Sequence, residues 1–193
     1  AAIYNLFSEA EDPQNVCFDI IRNSLKGHRI VNPIDLATGT GRMLWQIIDK
    51  LNFENDLYGV DVSKDMCDFL KKNLRRERKY THSIKILNSS IEQLPKKIKT
   101  KSSLIISSFG FPSKISNRDL CLKELRAVHS LLTDDGVFIT LGWDETFNDE
   151  LSMVWFKYIP DNIQAKNFEE WRRRRAGLIT SPRNCDLSWL KKG

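Results

Sequence analysis

What the chain has little of sets the first limits. It has four cysteines, Cys17, Cys67, Cys121 and Cys185, scattered and without a CxxC pair. That argues against a disulfide framework and against the ligand spacing of a structural zinc site. The three histidines, His28, His82 and His129, are equally dispersed, so no metal is expected. No run reaches the roughly 18 apolar residues of a transmembrane helix. The opening "AAIYNLFSEAEDPQ" has no basic stretch feeding an apolar one, so no signal peptide is read there. It also lacks an initiator Met, which fits a trimmed chain. Internal repeats are missing, and the only low-complexity segment is a run of four arginines. These absences lead to an expectation of a reduced, cytoplasmic chain.

What is present is an ordinary globular balance, 41% hydrophobic and 28% charged over 193 residues. One domain of this size buries roughly 70% of its unfolded surface. The formal charge is a mild +5, from 30 basic against 25 acidic residues. Much of the excess sits in "KKIKTK" and "RRRR" and reads first as solvated surface, although basic charge also attracts nucleic acid or anionic lipid.

Periodicity alternates between helix and strand. "NVCFDIIRNSL" is helical. "PIDLA" is a short strand, with Pro33 tolerable only at its entrance. "RMLWQIIDKL" is a helix, "DLYGVDV" a second strand, and "KDMCDFLKKNLRRE" a second amphipathic helix with Ser63 as N-cap. "SIKILNS" is a third strand, Leu104 to Phe109 a fourth, and "RDLCLKELRAVHSLL" a long helix ended by the turn "TDDG". "VFITLGW" is the fifth strand. Strands alternating with helices predict βαβ units around a mostly parallel sheet with helices on both faces, an α/β Rossmann-like fold. In the tail, "NDELSMVWFKYI" and "NFEEWRRRRAG" read as helices.

The stretch "PIDLATGTGRMLWQI" carries the chemistry. An apolar strand ends in an acid, Asp35, followed by a loop with small residues at Ala37, Gly39 and Gly41, then a helix. Glycines there permit tight turning and close approach of backbone to a ligand. The N–H groups that open the helix suit an anion, either a carboxylate or a pyrophosphate. Twenty residues after Gly41, Asp61 ends the second strand, where a carboxylate accepts bonds from two ribose hydroxyls. The competing reading is a plain turn and a helix-capping acid. Two features separate a dinucleotide from a cofactor with an amino-acid tail. The third position after Gly41 is Leu44, without the glycine of G-x-G-x-x-G. Asp35 would repel pyrophosphate but suits an ammonium.

At these residues the sequence resembles the class I S-adenosylmethionine-dependent methyltransferases. "IDLATGTGRML" with "LYGVDVSKDM" is similar to their first two motifs. Ala37 stands in the first glycine position, as in the ubiquinone/menaquinone-biosynthesis-like branch. The resemblance implies S-adenosyl-L-methionine as cofactor. It places Asp35, Ala37, Thr38, Gly39 and Gly41 under the methionine part, Asp61 at the ribose, and Val62 and Met66 along the adenine. "NSSIEQLP" is similar to "GDAEQLPF", whose acid accepts the adenine amino group. Ser90 (or Ser89, if the loop slips by one) stands at that position, with the Ile91 N–H as a further contact. "LIISSFGF" is similar to the fourth motif and puts Ser108, within Ser107 to Gly110, over the methionine. The resemblance covers roughly Pro33 to Trp143. It implies one domain over 1–193, with an N-terminal helical lid (1–30), a nucleotide-binding core (33–144) and a C-terminal helical region (145–193). The family's sixth strand and antiparallel seventh have no clear counterpart after Gly177. The expectation is therefore a truncated or partly ordered form, with a sheet edge open to homodimer pairing.

The methyl acceptor is less legible. No Asp-Pro-Pro-Tyr-type motif follows the fourth strand, where "SSFGFPS" stands instead. No catalytic base is assigned: Asp144 and Glu145 lie at the right edge, His28 lies at the wrong end of the sheet, and Tyr4 and Phe7 suit a lid. Arg172 to Arg175 step about 100° each on a helix and make a poor one-sided phosphate stripe. The leading expectation is a small-molecule methyltransferase. The alternatives are an RNA or protein methyltransferase, or a catalytically silent binding module on the same fold.

Overall fold

Buried apolar runs become the strands, and the amphipathic segments between them become the helices. The structure, a computed structural model, describes residues 16–76, 83–108, 110–111 and 117–141. In order these form α1 (Val16–Ser24), β1 (Ile34–Leu36), α2 (Arg42–Lys50), β2 (Leu57–Asp61), α3 (Lys64–Arg76) and β3 (Ile84–Asn88). A 3-10 turn (Ile91–Gln93), α4 (Leu94–Lys97), β4 (Ser102–Ser108), α5 (Arg118–Leu131) and β5 (Leu132–Leu141) follow. The chain divides into two compact units, Ala1–Ser113 with Asp119–Gly142, and Lys114–Arg118 with Trp143–Gly193. Expectations for Tyr4, Phe7, Asp144, Glu145, Arg172 to Arg175 and the closing strands fall outside the described residues.

The five strands form one sheet in the order β3-β2-β1-β4-β5, and every pairing is parallel. The mostly parallel α/β sheet read from the sequence is thus the observed one. Its faces alternate along each strand, as period-two side chains require. Leu104 and Ile106 of β4 enter one core with Phe18, Ile21, Leu44, Ile47 and Leu70, from α1, α2 and α3. Ile105, with Ile34, Leu36 and Val60, packs on the other face against Ile91, Leu94, Val128 and Leu131. Helices cover both faces, which accounts for the near-continuous apolar strands. Pro33 precedes β1, and its carbonyl accepts from Tyr58 N–H at 2.9 Å.

Two local features differ from the sequence reading. "IEQLPKK" is a 3-10 turn running into α4, with Pro95 in the first turn of that helix where its missing N–H costs nothing. The turn "TDDG" lies inside the span of β5: Ser102 pairs with Leu132, and after a register shift Leu104 pairs with Val137. Gly136 keeps this bulge uncrowded, since a Cβ there would stand 3.0 Å from the Ser102 carbonyl oxygen. Among the described residues β5 pairs only with β4, and no helix is long and apolar enough to cross a membrane.

From β1 the chain builds the sheet outward through β2 to β3, then reverses to the other side of β1 with β4 and β5, so the switch point lies between β1 and β4. In open parallel sheets, ligands bind beyond the carboxyl ends of the strands at such a switch point. The glycine loop after β1 lies there.

Candidate active site

The loop 37–41 is shaped by three residues in the left-handed region: Ala37 at φ 54°, Gly39 at 54° and Gly41 at 94°. Glycine enters that region at no steric cost, whereas alanine is strained in it. Space also dictates Gly41, because a Cβ there would lie 2.4 Å from Leu70 Cδ1. Gly41 caps α2, and its carbonyl accepts the first helical bond, from Trp45 N–H at 2.8 Å. Ala37 has its own counterpart: a Cβ on Gly110, just after β4, would stand 2.0 Å from the Ala37 methyl. The methyl that Ala37 adds occupies room left open by Gly110.

Asp35 lies beneath this loop, wholly buried. Its Oδ2 accepts from Thr38 Oγ1 at 2.5 Å, while Oδ1 has no hydrogen-bond partner. Burial pushes the Asp35 carboxyl up to about 7. The Thr38 bond opposes that rise, the nearby Asp61 charge adds to it, and the Leu44 backbone offsets it slightly without closing a bond to Oδ1. A buried, incompletely satisfied acid of this kind suits a cation and opposes an anion.

Asp61, the last residue of β2, ties two segments together. Its Oδ2 accepts from Gly39 N–H at 2.8 Å and its Oδ1 from Ser63 N–H at 2.8 Å. It thus braces the glycine loop and the entrance to α3 at once, and each oxygen keeps a lone pair for a ligand. The cap and ligand readings of Asp61 are therefore compatible. Ser63 Oγ accepts from Met66 N–H at 3.4 Å as the N-cap. Val62 is 75% exposed, an unusual position for a large aliphatic residue; Met66 is half-buried.

Asn88 closes this edge. Its amide donates to the carbonyls of Asp61 and Val62, at 3.1 and 2.8 Å, and Ser89 N–H donates to the Asp61 carbonyl at 2.9 Å. Ser90 follows in extended backbone, its hydroxyl donating to Glu92 Oε1 at 2.8 Å. Ile91 opens the 3-10 turn, so its N–H has no partner inside that turn. Ser108 ends β4, half-buried, beside Ser107, whose hydroxyl donates to the Leu36 carbonyl at 3.3 Å. Asp35, the glycine loop, Asp61, Val62, Met66, Ser90, Ile91 and Ser108 thus all lie at the carboxyl edge of the sheet or in the loops and first helical turns beyond it.

Three residues of this edge were not singled out from the sequence. Asn88 and Glu92 are ordinary polar residues there, and only the fold shows what they touch. Gly59 supplies the room that the glycine missing at Leu44 would have given. A Cβ at Gly59 would lie 2.6 Å from Leu44 Cδ1 and 2.8 Å from Ile86 Cδ1. The close approach at Leu44 is made possible by a glycine on β2 rather than on α2.

A family described as a methyltransferase domain matches residues 27–177. The chain belongs to that family. The fold of this methyltransferase domain, with its 3-2-1-4-5 sheet, is that of the class I S-adenosylmethionine-dependent enzymes. It is similar to an S-adenosylmethionine-dependent methyltransferase from Clostridium acetobutylicum ATCC 824, at 25% identity and TM-score 0.57, over 72% of this chain and 56% of that one. DesVI of Streptomyces venezuelae shares the fold at 20% identity and TM-score 0.58, over 77% of this chain and 60% of that one. The CcbJ methyltransferase of Streptomyces caelestis does so at 20% identity and TM-score 0.51, over 63% and 48%. The domain thus spans less than two thirds of each of those chains. No curated protein sequence matches it.

Proposed function

We propose that this methyltransferase domain binds S-adenosyl-L-methionine at the carboxyl edge of β1, β2 and β4 and methylates a small-molecule metabolite. The observation that carries the cofactor reading is the unpartnered Oδ1 of buried Asp35 beneath the glycine loop, with Asp61 at the next strand end. An ammonium near the loop relieves the Asp35 charge, whereas a pyrophosphate would worsen it. Asp61 holds the ribose hydroxyls. Val62 and Met66 line the adenine, Ser90 and the Ile91 N–H meet its edge, and Thr38, Ser108 and the glycines shape the methionine end. Ala37 in the first glycine position favours the ubiquinone/menaquinone-biosynthesis-like branch.

The cofactor, when bound, supplies a methyl group already activated by its sulfonium. The chain's task is then to align an acceptor and exclude water, so positioning dominates. No general base is assigned. His28 is exposed on the amino-terminal side of β1, and His129 is exposed on α5. The preference for a small molecule rests on "SSFGFPS" after β4, in place of a base-methylating motif, and on the poor phosphate stripe of Arg172 to Arg175.

Calorimetry with S-adenosylmethionine, S-adenosylhomocysteine and NAD tests the cofactor. Binding by the first two is expected, and NAD binding more tightly than both overturns the reading. Methyl-labelled cofactor offered with separated cell fractions tests the acceptor. Label in the small-molecule fraction supports the proposal, and label in RNA or protein overturns it. Tight cofactor binding without label transfer to any fraction favours a silent binding module.

A further inference from the structure

Between Leu70 and Lys101 the sequence carries eleven lysines and arginines against two acids, Glu77 and Glu92. That excess is larger than the +5 of the whole chain, so the remainder is net acidic and the basic charge is concentrated in this stretch. The fold gathers it on one side. β3 is an edge strand, paired only with β2 among the described residues. Leu70 and Leu74 of α3 share a core with Ile86 on one face of the sheet, and Leu94 and Ile98 share one with Leu87 on the other. With these apolar side chains turned inward, Lys72, Arg75, Arg76, Lys96 and Lys99 are left exposed on both sides of the strand, and Lys85 is exposed on the strand itself.

Little of this charge is neutralised nearby. Of the lysines and arginines described between Leu70 and Lys101, only Lys85 makes an ion pair, with Asp56. Glu92 is engaged with the Ser90 hydroxyl. A lysine on an edge strand is explained by its guarding against strand pairing. Cations on the two flanking helices are not, since no strand pairs there. Uncompensated like charges repel one another, and a bound polyanion removes that cost.

We propose that the β3 edge docks the phosphate backbone of a nucleic acid. Phosphates spaced along a strand meet cations of α3, β3 and α4 in succession, and each contact releases counterions. An anionic membrane fits less well. The large apolar side chains exposed among the described residues are Ile20 and Val62, and neither lies on α3, β3 or α4 to insert among lipids. Docking here is distinct from accepting the methyl group, which the carboxyl edge of the sheet selects, so the proposal stands apart from the cofactor and acceptor readings above.

Fluorescence anisotropy of a labelled polyuridylate of roughly twenty nucleotides, titrated with the full chain from roughly 50 to 200 mM salt, tests it. Lys72→Ala, Arg75→Ala and Lys96→Ala together remove three contacts. Lys26→Ala, Lys123→Ala and Arg126→Ala together remove the same charge from α5 and from just beyond α1. All six side chains are exposed, so neither triple variant disturbs the core. At about 0.7 per single-strand phosphate, the slope of log affinity against log salt should flatten by about 2 in the first triple variant, with at least about a 10-fold loss at the lowest salt. The second should keep the slope. Cations elsewhere, Arg172 to Arg175 included, are common to all three proteins and cancel. An unmoved slope in the first variant, or equal losses in both, would reduce the effect to net charge and overturn the proposal. So would tighter binding to phosphatidylserine vesicles or to polyglutamate than to the oligonucleotide, or no binding at the lowest salt.

Discussion

Replacing Asp35 with Asn should change how stability responds to pH. The folded-state value of about 7 stands above an ordinary 3.8. Between those limits the native state keeps a proton that the unfolded chain has released. The stability of the cofactor-free protein must then fall as pH rises through that window, and the fall is complete above pH 7. At roughly 1.4 kcal/mol per pH unit, the interval corresponds to up to about 4 kcal/mol. Asn cannot ionise, and its carbonyl still accepts from Thr38, so Asp35→Asn removes this dependence and keeps the loop bond. Other titrating groups cancel in the comparison. Urea unfolding of both proteins at pH 4 and pH 8 would measure it, provided the slope m is common to both. The advantage of the Asn variant should grow by about 2–4 kcal/mol from the lower pH to the higher. Parallel profiles, with a change below about 1 kcal/mol, would refute the view of Asp35 as a buried, strained charge. The same substitution should weaken S-adenosylhomocysteine binding, because the charge that destabilises the empty fold is the one that meets the ammonium.

Asp61→Asn should weaken S-adenosylhomocysteine by about 1.5–3 kcal/mol by calorimetry. It should also lower the stability of the free protein by about 1–2 kcal/mol in urea, since the carboxylate accepts N–H groups of Gly39 and Ser63. An effect on affinity alone would contradict the bracing role. Gly110→Ala should cost about 1–3 kcal/mol from its collision with the Ala37 methyl, and adding Ala37→Gly should recover most of it; additive losses would show that the two sites are independent. Gly59→Ala should destabilise by about 1–3 kcal/mol through contact with Leu44 and Ile86, and an unchanged urea midpoint would argue against that packing.

The strands were legible because burial on both faces makes them continuous apolar runs, and "ATGTG" followed by Asp61 was legible because backbone geometry demands those residue types. Relations between elements were not. Gly59 reads as an unremarkable residue in a strand until Leu44 is seen to need its space. Gly110 and Ala37 lie far apart in sequence, and neither announces that one methyl fills the gap between them. Asn88 bonds backbone carbonyls, which any sequence supplies. The short helical turns 91–97 escaped because three buried residues, Ile91, Leu94 and Ile98, are too few to set a period. The start of β5 was misplaced because "TDDG" is a turn by composition and a bulge by pairing.

The Asn88 amide has a consequence for how fast a ligand is captured. By bonding the two carbonyls that follow one another at Asp61 and Val62, it holds the end of β2 and the segment beyond it in place with no ligand's help. A molecule that docks there need not wait for this part of the surface to assemble, nor does its binding have to offset the entropy of ordering it. Loss of that amide should appear mainly as slower association, with ligand departure far less altered, which is the reverse of what removal of a direct contact does.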